Sequence, residues 1–443
     1  MKRTARAGLV LAISLALFGA GGIGLFRSTG PSSQGTSPVA APGPPLSMEA
    51  SEVGSLDRAV QSLQNSLRTS PDANGFASLG LAYVQQARLT ADPAFYPRAE
   101  AALERSLALG GESNFDAFVG MGALDLARHD FSLALQWGER ARAVNPYNGG
   151  VHGVIGDALL ELGRYEDAFR AFQRMVNLRP DMASYARVSY ARELQGDLPG
   201  AIRAMKLALE SASTREDAAW AGHHLGELYW GIGDLNRAAS WYRRGVEMAP
   251  SFVPPHAGLA KVAYARGRTA KAIHTYRWVA ERYPWPEYLI ALGDIFRASG
   301  RPELARQQYE LVRAEAELFR AGGVNVDLEL ALFDADHGGE KAALTTARAE
   351  WIRRHSVHVA DALAWALYRN QRFEEADRYA RSALRLGTKN SQFLYHAGMI
   401  RLALGDERAA RSLLRRALGL NPGFSILSAR IAERTLTGLG RTP

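Results

Sequence analysis

Beyond residue 50, apolar side chains recur at i, i+3, i+4 and i+7, as in Leu225, Leu228 and Tyr229 and then Ala238, Trp241, Tyr242 and Gly245. That period marks amphipathic helices. The helical stretches are short and come in twos. Within each two falls a Gly-Arg or Gly-Asp step: Gly163-Arg164, Gly196-Asp197, Gly233-Asp234, Gly267-Arg268, Gly300-Arg301 and Gly405-Asp406. Glycine takes the left-handed conformation that stops a helix. A proline follows the second stretch, at Pro146, Pro180, Pro250, Pro284 and Pro422, and stops it in turn.

The twos form one repeat. Alanine recurs at Ala99, Ala134, Ala168, Ala201, Ala238, Ala272, Ala305, Ala342, Ala376 and Ala410, at spacings of 35, 34, 33, 37, 34, 33, 37, 34 and 34. Four residues after the alanine stands a large apolar residue, as in Phe172, Tyr242, Tyr276 and Tyr309. Twelve before it there is often glycine, at Gly122, Gly156, Gly226, Gly293 and Gly398. Small residues at the crossing, Gly226 against Ala238 and Gly293 against Ala305, would let the two helices approach closely. One pair cannot hide its apolar face alone, so neighbouring pairs must stack.

This text resembles the tetratricopeptide repeat, with its W-x2-L-G-x2-Y, A-x3-F and P positions. Leu225, Gly226, Tyr229, Ala238, Tyr242 and Pro250 make the best copy, with Gly222 where the family often has Trp. Phe76, Leu79, Gly80, Tyr83, Ala99 and Leu103 make another, stretched by an insertion from Thr90 to Pro97, and Leu289, Leu292, Gly293, Phe296, Ala305 and Tyr309 a third. The resemblance spans residues 72–424, about ten units. The unit at Ala342 departs most: Leu330 stands at the glycine position, Thr346 at the aromatic one, and the turn reads His337-Gly338-Gly339. The resemblance implies an all-α fold, a right-handed superhelical solenoid of stacked antiparallel helix pairs. Helices at 52–68 and 425–437 would cap a domain running from 48 to 437, and 438–443 would form a tail.

In the family the first helix of each pair lines the concave face, where ligands lie. Carried over, this places Trp220, His223, Glu227, Trp230, Lys261, Tyr264, Asp294, Arg297, Asp361, Trp365, Tyr368 and Arg369 on the partner-binding face, with Asp157, Tyr190, Glu193 and Tyr395 beside them. Aromatics mixed with both charges suit an extended peptide or a glycan, since flat rings give contact area at little entropic cost. The same rings could instead fill the groove between repeats. No Lys and Asn pair matches the family's clamp for a C-terminal carboxylate.

The N-terminus reads as a membrane address. Gly8 to Phe26 is 19 residues without a charge, preceded by Lys2, Arg3 and Arg6. That length suits a membrane-spanning helix, and the positive-inside rule would keep the cations cytoplasmic and export the rest. A cleaved signal peptide is the alternative, with Ala20 and Gly22 or Gly22 and Gly24 as small-x-small sites. Ala12, Ala16, Ala20 and Gly24 form a small-residue stripe, and Gly19, Gly21 and Gly24 an accidental G-x-G-x-x-G with no strand before it. Residues 28–47 hold no charge and no aromatic and are rich in Ser, Thr, Gly and Pro, which makes them a tether behind a 1–27 anchor or signal.

Composition narrows the chemistry. The net charge is +8, of which residues 1–47 supply +4, so the remainder is too dilute in charge to track nucleic-acid phosphates. Zero cysteines exclude disulfides, a thiol nucleophile and a lipoprotein anchor. Ten histidines include His223-His224 and the pair His355 and His358, but no H-E-x-x-H; nor is there a Gly-Lys phosphate loop or a G-x-S-x-G elbow. The expectation is a non-catalytic scaffold without cofactor or metal, anchored in the inner membrane and exported, holding protein or peptide partners in cell-envelope assembly. An accessory factor for envelope polysaccharide, binding glycan through the same aromatics, is the alternative.

Overall fold

The computed structural model describes residues 53–440. The expected anchor at 8–26 and tether at 28–47 lie outside the described residues. Among the described residues no helix is long and apolar enough to cross a membrane.

The described chain holds 22 α-helices. Val53–Thr69 opens the array. Ten antiparallel pairs follow: Ala73–Thr90 with Phe95–Gly110, Phe115–Ala127 with Phe131–Val144, Gly149–Glu161 with Tyr165–Leu178, Met182–Leu194 with Leu198–Glu210, Arg215–Gly231 with Leu235–Met248, Pro254–Ala265 with Thr269–Arg282, Pro286–Ala298 with Pro302–Ala321, Asp327–His337 with Glu340–Arg353, Val357–Arg369 with Phe373–Ala383, and Ser391–Ala403 with Glu407–Leu420. Ser428–Leu439 closes it. We number the pairs 1 to 10 and call the first helix of each inner and the second outer.

The repeat text explains the pairs. Each turn within a pair places one residue at positive φ: Gly163 at 82°, Gly196 at 74°, Gly233 at 71°, Gly267 at 73°, Gly300 at 71° and Gly405 at 80°. His129 at 62° and Gln371 at 60° do the same work in pairs 2 and 9. The residue immediately after it caps the outer helix where it is Asp, as when Asp234 accepts from the Arg237 amide. Two expectations need correcting. The crossing glycine meets the aromatic ring rather than the alanine: a Cβ on Gly226 would lie 2.3 Å from the Tyr242 ring, and one on Gly293 2.5 Å from that of Tyr309. In pair 8 the buried repeat alanine is Ala343, fully enclosed, while Ala342 is exposed. Shifted by one, this unit has Ala331 at the glycine position and Gly338, at φ 92°, in its turn, so it keeps the common geometry.

The solenoid closes on itself. In pair 1 the Arg88 carbonyl accepts from Tyr283 Oη at 2.8 Å. In pair 2 the Arg128 carbonyl accepts from the Asn325 amide at 3.0 Å, and His129 Nδ1 donates to the Asn325 carbonyl at 2.7 Å. In pair 3 Tyr165 Oη accepts from the Val357 amide at 2.6 Å. In pair 4 Thr388 Oγ1 donates to the Leu194 carbonyl at 2.5 Å, and in pair 5 Asn421 Nδ2 donates to the Trp230 carbonyl at 2.8 Å. One rule covers all five: the turn region of pair n meets the junction after pair n+5. One superhelical turn therefore takes five and a half pairs, and the second turn packs along the first as a seam. Apolar side chains cross it too, with Phe319, Val324 and Val326 in one core with Leu103 and Phe131, and Val357 and Phe393 in another with Phe118 and Phe172.

Candidate functional site

The seam divides the inner face into a closed part and an open part. Where the second turn lies over the first, charges are buried and spent on one another. Arg187 donates to both Asp157 carboxylate oxygens, at 2.6 to 3.0 Å, in full burial. Arg354, 3% exposed, bridges Glu161 of pair 3 and Glu350 of pair 8 and stacks its guanidinium 4.6 Å from the Phe131 ring. Desolvation pulls the Arg354 pKa down, but Glu161 and Glu350 outweigh it and hold it above the ordinary value. Tyr190 meets His358 across the seam at 3.0 Å.

Pairs 9 and 10 are spent in the same way. Asp361 binds His396 Nδ1 at 2.9 Å, and Trp365 Nε1 donates to Asp336 at 2.8 Å. The Trp365 ring lies parallel to those of His396 and Tyr368, at 4.1 and 4.7 Å, and Tyr395 packs beside it. Arg369 reaches Glu340 at 2.8 Å. Asp361, Trp365, Tyr395 and His396 are buried, so of this group Tyr368 and Arg369 keep partial exposure.

The open part runs over the inner helices of pairs 4 to 7. Trp220, His223, Glu227 and Trp230 stand three or four residues apart on one helix and hence on one face. Lys261 and Tyr264 continue the face on pair 6, and Asp294 and Arg297 on pair 7. Glu227 is the hub: it accepts from Tyr242 Oη at 2.6 Å and twice from Lys261 Nζ, at 2.8 and 2.6 Å. Burial alone would raise its pKa, but the Lys261 ammonium overrides that and brings it to about 2. The same ammonium sits 5.1 Å from the Trp230 ring centroid. Trp230 itself is buried, whereas Trp220, His223, Glu227, Lys261, Tyr264 and Asp294 are partly exposed and Arg297 is open to solvent. Asp294 accepts from Tyr309 Oη at 2.7 Å and meets His337 Nε2 at 2.9 Å.

Two carboxylates here were not singled out from the sequence beyond a flanking mention of Glu193. Glu193 of pair 4 and Glu287 of pair 7 make no hydrogen bond or ion pair among the described residues. Water reaches both, Glu287 freely, yet protein mass surrounds them inside the curl. Desolvation first, then the nearby Glu227 charge, pushes Glu193 up to about 7. Glu287 also sits at about 7, raised by desolvation and by Glu227 and held back by Lys261. His223 and His224 are pulled down to about 4 and about 3 by desolvation and are neutral at pH 7. His223 Nδ1 and Tyr264 Oη are buried without a hydrogen-bond partner. The open stretch is thus an acid-rich, partly exposed trough with donors and acceptors unspent.

A signal for part of this was present in the chain. Glu227 and Lys261 are one repeat apart, so an acid and a base at the same register of successive units pair across neighbouring inner helices. Arg354 and Glu161 carry no such signal, since the pitch of the superhelix brings them together. Among the described residues no three His, Asp or Glu side chains gather in a way that could hold a metal ion.

Comparison with known proteins agrees with the architecture. One tetratricopeptide-repeat family model matches residues 154–218, 258–317 and 362–423, and a second matches 223–252. The chain carries tetratricopeptide repeats, and its fold is an all-α solenoid of them. Similar solved structures include the APC/C hetero-tetramer Cut9–Hcn1, at 14% identity over 86% of this chain and 93% of that one, with a TM-score of 0.37. The human IFIT1 dimer with PPP-AAAA is 13% identical over 82% of this chain and 86% of that one, at 0.45. TTC0263, a thermophilic tetratricopeptide-repeat protein of Thermus thermophilus, is 22% identical over 46% and 99%, at 0.38. No curated protein matches the chain in sequence.

Proposed function

We propose that this tetratricopeptide-repeat chain is a non-catalytic scaffold that holds an extended segment of a partner protein in the trough over pairs 4 to 7. The observation that supports this is the contrast along the inner face. Charges in pairs 3, 8 and 9 are paired and buried, whereas the partly exposed Glu193, the exposed Glu287 and the buried Tyr264 Oη remain unspent. An extended backbone offers amide donors to such carboxylates, and a basic side chain would take the place that Lys261 takes on Glu227. Trp220 and Tyr264 supply flat contact area beside them. Among the residues expected to bind, Trp220, His223, Glu227, Lys261, Tyr264, Asp294 and Arg297 are the ones this reading uses, since Trp230, Asp361 and Trp365 are buried and Tyr368 and Arg369 stand partly exposed on pair 9.

The reading extends to location. Lys2, Arg3 and Arg6 before the uncharged run 8–26 support an anchor that leaves the solenoid outside the cytoplasm, in the service of envelope assembly. A reporter active only after export, fused behind Pro443, should then be active. A photo-crosslinking residue at position 264 in the membrane-bound full chain should capture a protein partner. Trp220→Ala and Glu287→Gln should each weaken that capture by about 1 kcal/mol or more while circular dichroism stays unchanged. Capture of a saccharide and no protein at position 264 would favour the polysaccharide role instead.

A further inference from the structure

The tenth pair breaks the packing of its neighbours at one position. Three residues after the crossing position, pairs 5 and 7 place a buried apolar wedge against the outer helix before them, where Tyr229 packs with Ile202, and Phe296 with Ile273 and Tyr276, whereas pairs 2 and 8 have the buried carboxylates Asp125 and Asp334 there. In pair 4 the position is Arg192, which leans out to Asp197 of its own turn. In pair 10, three after Gly398, it is Arg401, which stays partly buried and turns toward the outer helix of pair 9.

Its Nε binds Asp377 Oδ1 at 2.8 Å, and Arg381 grips the other oxygen of the same buried carboxylate. The wedge is missing, and a hollow of about 410 Å³ remains on the outer face between pairs 9 and 10. Ala380, Ala397, Ala409 and Leu413 floor it, and Arg381, Arg401 and Arg416 rim it. Arg416 has no ion pair or hydrogen bond among the described residues. Asp377 is thus shared by Arg381 and Arg401, Arg401 also reaches Asp406 at 3.7 Å, and the charge of Arg416 is left uncompensated over the apolar floor. A planar guanidinium matches a carboxylate in two parallel hydrogen bonds, and an apolar floor strengthens that bond by excluding water.

We propose that this hollow is a second binding site, separate from the inner trough, for a short segment of a partner protein that carries an Asp or Glu side chain flanked by bulky apolar residues. The carboxylate meets Arg416 and Arg401 while an apolar neighbour takes the volume that Tyr229 or Phe296 fills elsewhere. The charge balance of the rim selects an acidic segment, and the size of the hollow limits it to one or two inserted side chains.

The test uses the full chain and an array of ten-residue peptides, each with one Asp or Glu between Leu, Ile or Phe, beside the same peptides carrying Asn or Gln. Fluorescence anisotropy should find acidic members that bind, with amide counterparts weaker by about tenfold or more. Arg401→Tyr restores the wedge and should abolish binding while the unfolding temperature holds. Arg416→Glu should cost about tenfold or more, and it carries the test alone if Arg401→Tyr fails to fold. Arg415→Glu, next in sequence but outside the hollow, should change nothing. The proposal is overturned if no acidic peptide binds, if amide peptides bind equally, if Arg415→Glu weakens binding as much, or if only phosphopeptides or phosphatidylglycerol vesicles bind. None of these results bears on position 264, whose crosslinking tests the inner trough alone.

Discussion

Two sets of turns, written in nearly the same residues, do different work in this molecule. Gly163, Gly196 and Gly233 lie in the seam: a Cβ on Gly163 would sit 2.4 Å from the His355 carbonyl oxygen, one on Gly196 2.4 Å from that of Gly387, and one on Gly233 2.9 Å from that of Leu420. Gly267, Gly300, Gly338 and Gly405 have the same left-handed backbone, and around each of them a Cβ would meet nothing within 4 Å. The first set is glycine for two reasons and the second for one. Local chain geometry demands the residue in both, but only the first set is also held by a neighbour about 190 residues away.

The comparison can be broken in several places. The largest effect belongs to Arg354. Replacing it with Ala would remove the buried cation that bridges Glu161 to Glu350, leaving Glu350 with Arg353 and Asn325, at about 3 kcal/mol or more. Arg164→Ala, which removes an exposed side chain paired with Asp167 three residues on, should cost less than about 1 kcal/mol. Equal losses in chemical denaturation would mean the seam carries no stability. Next come the glycines. Gly163→Ala should cost about 3 kcal/mol or more, adding a backbone clash to the strain of positive φ. Gly267→Ala should cost only the strain, about 1 kcal/mol. Similar melting temperatures for the two variants would open the curl that we describe.

Acid should loosen the seam before the free turns. Desolvation, and then the Arg354 charge, lowers the His129 pKa to about 4 from its ordinary 6.5. Between those values the unfolded chain takes up a proton that the folded chain does not, so stability falls as pH drops through the window. One such histidine accounts for roughly 2 kcal/mol by pH 4.5. His129→Asn, a residue that tolerates positive φ, should flatten that part of the denaturation profile. A profile unchanged by the substitution would remove His129 from the seam.

The smallest effect sharpens the register of pair 8. Ala343→Leu should overpack a closed crossing at about 1–2 kcal/mol, whereas Ala342→Leu, on the surface, should be tolerated within about 0.5 kcal/mol. The reverse order would restore the register expected from the alanine spacing.

These contrasts mark what the chain could and could not disclose about itself. Helix pairs, their order and their caps follow from local period and from glycine and proline, which act within a few residues. The bond from Lys261 to Glu227 was legible in principle, since matching registers of adjacent repeats become neighbours. Ala342 misled because two alanines stand side by side and spacing alone cannot choose between them; only packing against Ala331 does. Asp361 and Trp365 are buried by the adjacent pairs, through His396 and Asp336, whereas the meeting of Arg354 with Glu161 depends on the pitch of the whole array. A small rotation at each pair, summed over five and a half pairs, sets that pitch, and no segment of sequence states it.

That fractional count also bears on how such a chain can change length. In an open solenoid, where each unit touches only its neighbours, a repeat can be duplicated or lost and the rest re-stacks. Here a turn always faces a junction, never another turn, and each match is made by particular residues: Asn325 for Arg128 and His129, Thr388 for Leu194, Asn421 for Trp230. Removing one unit from the middle would slide every later junction one place along the first coil and mispair all that remain. The chain is periodic in its text but has a fixed length, in the way that a thread cut to fit one nut does.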